Sequence, residues 1–282
     1  MAKKMEPHGV NLRYQSKRPV GAKILNRKTN LSMGKVHSFP GSSMKVGDFY
    51  SLDPRLIPKH IGIIMDGNRR WARGKGLKDG EGHRAGTENL KKVVDHCQKL
   101  GVKHLTVYAL STENWRKRAK EEVRGLFNLL VKIVKEKKEE YRLRGIKFFV
   151  LGNFQAFPRR VKRAIDEALK VVIKQERLKF NVALNYGGRD EMIRAIKQII
   201  KDGIRPGEVD ENLVNRYLDT NGQPDPELII RTGGEIRLSN FLLWQLSYAE
   251  LYFTDTFWPD FGPKKLEEAI KTYQDRQRRF GK

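Results

Sequence analysis

Cysteine occurs once in the 282 residues, at Cys97. A lone cysteine excludes an internal disulfide, and with it the small disulfide-held secreted scaffolds. It falls in a helical pattern, which suits packing better than nucleophilic chemistry. The six histidines show no spacing typical of metal ligands. No apolar run approaches the roughly 20 residues that span a bilayer, and no secretory signal pattern appears. These absences point to a soluble, cytoplasmic protein. Acidic residues are scarce: 33 Asp and Glu stand against 57 Lys and Arg, a net charge of +24. Such a surface attracts nucleic acid, anionic lipid or phosphorylated small molecules. It also suits a solvated surface laced with ion pairs.

What is present divides the chain in two. Residues 1–57 are rich in Lys, Arg, Ser, Gly and Pro and lack apolar periodicity. Up to Lys59 there are 12 Lys or Arg and 3 acids. This reads as a flexible basic extension, suited to contact with an anionic membrane surface. It is acid-poor like an organelle transit peptide, though poorer in Ser than such peptides. From residue 58 to 282 the pattern is that of one catalytic domain. Apolar runs predict strands at 60–65, 103–109, 146–151, 179–185 and 227–231, with a shorter one at 250–254. Helical periodicity predicts helices at 84–100, 121–143, 158–175, 188–202 and 263–279. Strands alternating with helices mean an α/β fold: a mostly parallel central sheet of about six strands flanked by helices.

Four polar clusters follow strand ends. The first is Asp66-Gly67-Asn68-Arg69-Arg70-Trp71, closing the apolar run of residues 61–65. In open parallel sheets, ligands bind at such carboxyl ends. Asp66 can hold Mg²⁺, which takes one or two protein oxygens and draws others from phosphate. Gly67 permits close backbone approach to a phosphate, Asn68 can donate to it, and Arg70 and Arg73 can neutralise it. A helix beginning near His83 would offer free amides. Taken alone, Asp-Gly-Asn is equally an ordinary tight turn. The second cluster is Ser111-Thr-Glu-Asn-Trp-Arg-Lys-Arg118, the third Asn185-Tyr-Gly-Gly-Arg189. The fourth runs from Arg231 through Arg237 and Ser239 to Asn240. Its two arginines and serine could grip a diphosphate through charge-assisted bonds. Glu250, eleven residues past Ser239, could reach a metal. Four polar turns beside apolar helices suit a substrate with a diphosphate head and a hydrocarbon tail.

The ordered motifs Met65-Asp-Gly-Asn-Arg-Arg-Trp71, Ser111-Thr-Glu-Asn-Trp115, Asn185-Tyr-Gly-Gly-Arg189, Arg231-Thr-Gly-Gly-Glu235 and Ser239-Asn-Phe-Leu-Leu-Trp-Gln245, with Trp258-Pro-Asp260 beyond, resemble the cis-prenyltransferases. The resemblance runs from about Pro58 to Gly281. The Asp-Asp-x-x-Asp motif of trans-prenyltransferases is absent. The resemblance implies condensation of isopentenyl diphosphate onto an allylic diphosphate, with farnesyl diphosphate the expected primer. It implies Mg²⁺, a homodimer and a hydrophobic product tunnel between helices and sheet. By motif, Asp66 corresponds to the central catalytic and metal-positioning acid, and Glu250 to a metal-assisting carboxylate. Gly67, Asn68, Arg70, His83, Ser111, Asn114 and Trp115 correspond to the allylic diphosphate site and its loop, with Asn68 also catalytic. Arg231, Arg237 and Ser239 correspond to the isopentenyl diphosphate site.

The chain departs from the family in places. Asp79 stands where members often carry an Arg, a contact that Lys78 or Lys75 could supply instead. The segment after Trp115 lacks the usual Pro, so the loop arginine aligns with Lys117 or Arg118. Ile236 stands where some members have His. Small Ala109 leaves tunnel space for a medium product of undecaprenyl type, whereas Phe148 or Phe149 could shorten it. Strand parity lets only one of the two face inward. Short-chain and dolichyl-type products stay open. A silent partner subunit would be expected to lose the Asp66 or the Arg231–Ser239 cluster, and both are intact. Nucleic-acid binding rests on net charge alone, without interleaved aromatics, and is not expected.

Overall fold

The computed structural model describes residues 50–277. Six parallel strands form one sheet: β1 (His60–Ile64), β2 (His104–Ser111), β3 (Ile146–Leu151), β4 (Leu178–Tyr186), β5 (Leu228–Arg231) and β6 (Glu250–Phe253), in the order β3-β4-β2-β1-β5-β6. All six expected strands form. β1 is buried along its whole length, as a central parallel strand covered on both faces must be. The chain passes from β1 to β2, on to the edge strand β3 and back to β4 between them, then crosses to β5 and β6. The reversal therefore falls beside β1, and a crevice opens at its carboxyl end. The register sets Ile64 between Tyr108 of β2 and Arg231 of β5, so the side chains after β1 converge with those ending its neighbours.

One face carries α2 (Asp79–Leu100), α4 (Lys120–Arg144), α5 (Arg159–Leu169) and α8 (Pro263–Gln277). Their apolar stripes, including Val93, Val94, Phe127, Ile165, Leu266 and Ile270, make the main core. The other face is covered by residues 238–249, with Phe241 and Leu242 fully buried against Ile64 and Ile229. Beside them lie α6 (Gly188–Lys201) and α7 (Glu211–Tyr217). Two further short helices, α1 (Asn68–Gly74) and α3 (Thr112–Lys117), follow β1 and β2 directly.

Three expectations change. α2 begins at Asp79 and not near His83; the free amides of its first turn therefore precede His83. α5 ends at Leu169, six residues early. There Lys147 of β3 donates from Nζ to the carbonyls of Leu169 (3.2 Å) and Val171 (2.6 Å), and the β-branched Val171-Val172-Ile173 follows. The expected basic extension of residues 1–57 lies outside the described residues as far as residue 49, and its last part belongs to the folded unit. Gln274 of α8, buried, accepts from the Asp53 amide (3.1 Å) and donates to the Asp53 carbonyl (2.9 Å), while Leu52 and Ile57 pack on the main core.

Candidate active site

A cavity of about 300 Å³ opens at the carboxyl ends of β1, β2 and β5 and runs between α2, α4 and the sheet. Polar groups line its opening: Asp66, Asn68, His83, Ser111, Asn114, Arg118, Arg231 and Ser239. Apolar groups line the rest, among them Ala109, Leu126, Leu130, Ile133, Phe148, Phe180 and Val182. The parity question is thus answered. Phe148 faces the cavity, while the Phe149 ring lies under Lys179 Nζ at 5.7 Å.

Asp66 is the centre of the polar end. Its amide donates to Thr232 Oγ1 (3.0 Å), whose hydroxyl donates back to the Asp66 carbonyl (2.8 Å), so the strand end is clamped. The Gly67 amide donates to Asp66 Oδ1 (2.6 Å). Gly67 has φ +102°, and a Cβ there would come within 2.6 Å of the Phe257 ring; only glycine suits the turn. Arg231, 4% exposed, donates from Nη2 to Asp66 Oδ2 (2.9 Å) and from Nη1 to Ser239 Oγ (2.7 Å) and the Arg237 carbonyl. One planar fork therefore holds the first and fourth clusters together. Ser239 and Asn240 take φ +49° and +66°, a turn held by Asn240: the Arg189 amide donates to its Oδ1 (2.9 Å), and its Nδ2 donates to Glu113 (3.2 Å). Asn240 thus joins the second, third and fourth clusters.

The remaining expected residues divide. Asn68 donates from Nδ2 to the Met65 carbonyl (3.2 Å), and its Oδ1 is buried with no donor. α2 approaches so closely that a Cβ on Gly86 would lie 2.1 Å from that oxygen. His83 lines the cavity with Nε2 buried and unbonded, 3.6 Å from Glu122. Burial, then the charge of Arg118, lowers its pKa below the ordinary histidine value, so it is neutral at neutral pH. Ser111 caps α3, accepting from the Asn114 amide (3.0 Å). Arg70 sits to one side of the cavity, between Asp66 (3.2 Å) and Glu235 (3.7 Å). Arg237 is largely exposed and paired with Glu235. Of the two candidates for the loop arginine, Arg118 lines the cavity.

Two expected residues lie apart from this cavity. Trp115 is not in the cavity lining; its ring packs on Phe127 and Phe157 at 5.6 and 5.1 Å and anchors α3 to the core. Glu250 starts β6, paired in register with Leu228, whereas Arg231 pairs with Phe253. It lies three residues, roughly 10 Å, toward the amino ends of the strands, and its carboxylate takes Arg276 (2.9 Å). Sequence spacing carried no register, so it could not separate the two ends of a four-residue strand.

Among the described residues no three His, Cys, Asp or Glu side chains converge as a metal cage. The oxygens available at the polar end are the Asp66 carboxylate and Asn68 Oδ1, the latter buried and unbonded. That donor set fits a hard cation which takes most of its ligands from phosphate. Tyr108, opposite Ile64, was overlooked in the sequence; its hydroxyl donates to the Tyr186 carbonyl (3.0 Å) and its ring stacks on Phe241 at 4.8 Å. Its place at the end of a strand beside β1 was the available signal.

A charged opening on a long apolar cavity defines an enzyme site for a molecule with an anionic head and a hydrocarbon tail. The comparisons with known proteins name the class. The family model described as "Putative undecaprenyl diphosphate synthase" matches residues 64–281. An isoprenyl transferase of Heliobacterium mobile is 47% identical over 82% of this chain and 90% of its own. A tritrans,polycis-undecaprenyl-diphosphate synthase (geranylgeranyl-diphosphate specific) of Thermococcus kodakarensis is 44% identical over 80% of this chain and 88% of its own. The crystal structure of lavandulyl diphosphate synthase from Lavandula x intermedia, in complex with dimethylallyl diphosphate, matches with TM-score 0.74 and 36% identity, covering 78% of this chain and 96% of that one. The chain belongs to the undecaprenyl diphosphate synthase family of cis-prenyltransferases, and it is a prenyltransferase.

Proposed function

We propose that the protein condenses isopentenyl diphosphate with an allylic diphosphate, farnesyl diphosphate by preference, to build a Z-polyprenyl diphosphate of undecaprenyl type. The observation that carries this reading is one carboxylate, Asp66, set among Arg118, Arg231 and Ser239 at the mouth of an apolar channel. Gly67, Asn68, Arg70, His83, Ser111 and Asn114 serve the allylic diphosphate, joined by Arg118. Arg231, Arg237 and Ser239 serve isopentenyl diphosphate. Asp66 with Asn68 would hold Mg²⁺, whose charge stabilises the departing diphosphate. The arginines neutralise the same developing charge from preorganised positions. As the allylic C–O bond breaks, the isopentenyl double bond attacks the allylic carbon. Proton loss to the released diphosphate then restores a double bond, with Asn68 beside the proton that leaves. The lengthening chain passes down the channel past Ala109 toward Phe148.

A homodimer is part of this reading. Ile193, Ile196 and Ile200 of α6 recur at helical spacing and are 53%, 52% and 71% exposed, an apolar stripe suited to a second copy. A cytoplasmic enzyme in contact with a membrane surface fits a product that is itself a lipid. A short-chain product is the second reading; Phe148 and Phe180, with ring centroids 6.2 Å apart at the inner end of the channel, favour it. Incorporation of radiolabelled isopentenyl diphosphate with Mg²⁺, using C5, C10, C15 and C20 primers, tests both. A ladder of long products from C15 supports the first reading, and arrest after one or two additions supports the second. No incorporation with any primer would refute both and leave a non-catalytic subunit.

A further inference from the structure

The channel has a second end. On α4, Leu126 and Tyr141 both line it, so it extends roughly 22 Å along that helix at 1.5 Å per residue. Its inner end reaches Lys137, Lys138 and Val171, all of them partly exposed. The next residue, Val172, is 79% exposed. The glutamates of this stretch of α4 are paired, Glu136 with Lys132, Glu139 with Arg142, and Glu140 with Lys137 and Arg144, while Asp166, Glu167 and Glu176 stand beside Lys170 and Lys174 in sequence. Among the described residues, Lys135, Lys138, Lys170 and Lys174 form no ion pair. Lysines of α4 and of the segment after α5 thus flank the partly exposed inner end of the channel, where exposed Val172 follows the lining residue Val171.

Resting on the reading of that channel as a hydrocarbon site, we propose that this surface docks on an anionic lipid bilayer, so that a chain tip leaving the channel meets lipid and not water. Unpaired lysines at a protein surface are drawn to anionic headgroups over about a Debye length. An exposed valine beside them gains by entering the interface. Ordinary solvated lysines need no apolar neighbour, and here an exposed valine and the partly exposed inner end of an apolar channel adjoin them.

Cys97 is fully buried, so one introduced cysteine can be labelled selectively in the full chain. An environment-sensitive fluorophore on Val172→Cys should shift to the blue with phosphatidylglycerol vesicles but not with phosphatidylcholine vesicles. The same label on Glu211→Cys, at the start of α7 on the other face, should not shift. Lys135→Glu, Lys170→Glu and Lys174→Glu together should weaken vesicle binding about tenfold or more, leaving isopentenyl incorporation in detergent unchanged. Vesicle binding without a shift at position 172, equal shifts at both positions, or no vesicle binding would each overturn the proposal. Incorporation is read separately, so an inactive protein that still shows the position-172 shift would fail the prenyl-transfer reading and keep the docking.

Discussion

Two buried polar clusters sit toward opposite ends of the same sheet, and they are built on opposite terms. Toward the amino ends of the strands, His60, Thr106 and Asn181 are fully buried, and every side-chain nitrogen and oxygen on them is paired. The His60 Nδ1 contact is a carbonyl, that of Pro224 at 2.7 Å, so Nδ1 carries the proton. Nε2 must then accept from Thr106, 2.8 Å away. Asn181 donates to the same hydroxyl (2.9 Å) and to Gln223 (2.8 Å). At the carboxyl ends, Asn68 Oδ1, His83 Nε2 and Arg231 Nε are buried without a hydrogen bond. An unsatisfied buried group costs about 1–3 kcal/mol, so such groups concentrate where a ligand completes them. The closed cluster holds strands together, and the open one is left for a ligand to complete.

The largest test of this division is Asp66→Ala. It removes the carboxylate that Arg231 and Arg70 share, and turnover should fall about 10³-fold while circular dichroism still reports a folded chain, with Tm lowered because buried Arg231 loses its partner. Near-normal turnover would break the comparison, since the open cluster would then hold no chemistry. The closed cluster predicts a loss of stability and not of chemistry. Burial holds His60 at about 4, against an ordinary 6.5. The unfolded chain binds this proton first as pH falls, so stability declines from about pH 6.5 to about pH 4 and is flat in this respect above. The decline should be roughly 3 kcal/mol in urea midpoints across that window. A His60→Gln variant should lack most of that slope; an unchanged slope would shift the acid sensitivity to other groups.

Thr106→Val is the next smaller step. It keeps the shape and removes the hydroxyl that serves both His60 and Asn181. We expect a stability loss of about 1–3 kcal/mol, with kcat/KM unchanged at temperatures where the protein stays folded. A fall in kcat/KM without unfolding would mean that the two ends of the sheet are coupled.

Much of this was legible before any coordinates. Strands β1 to β6 announce themselves as short apolar runs, because a parallel sheet covered on both faces needs no polar alternation. Asp66, Arg231 and Ser239 were legible because each follows such a run. α1, α3 and α7 were not, since helices of 6 or 7 residues carry too few turns for a period to show. The place of Glu250 at the start of β6 was not legible, because residue spacing says nothing of register across a crossover. The packing of Trp115 was not legible, because a motif names neighbours in sequence, whereas its ring turns to Phe127 and Phe157. Asn240 lay in plain view within a motif; only the backbone turn shows that it binds three loops.

The smallest expected effect concerns Asp79, at the edge of the open cluster. Its carboxylate takes Arg69 Nε (2.7 Å) and Arg73 Nε and Nη2 (both 2.9 Å), and the Arg73 bond is the main cause of its lowered pKa. Both arginines are substantially exposed, so these pairs contribute little to folding, and Asp79→Ala should leave Tm unchanged. What the carboxylate does is occupy two cations beside the allylic end of the site. Freed, they should lower the allylic KM roughly threefold at low ionic strength, a gain that salt erases. If the KM rises instead, Asp79 orders Arg69 for the ligand. The boundary of the open cluster then moves outward to the first turn of α2, and a paired surface acid counts among the groups that a diphosphate completes.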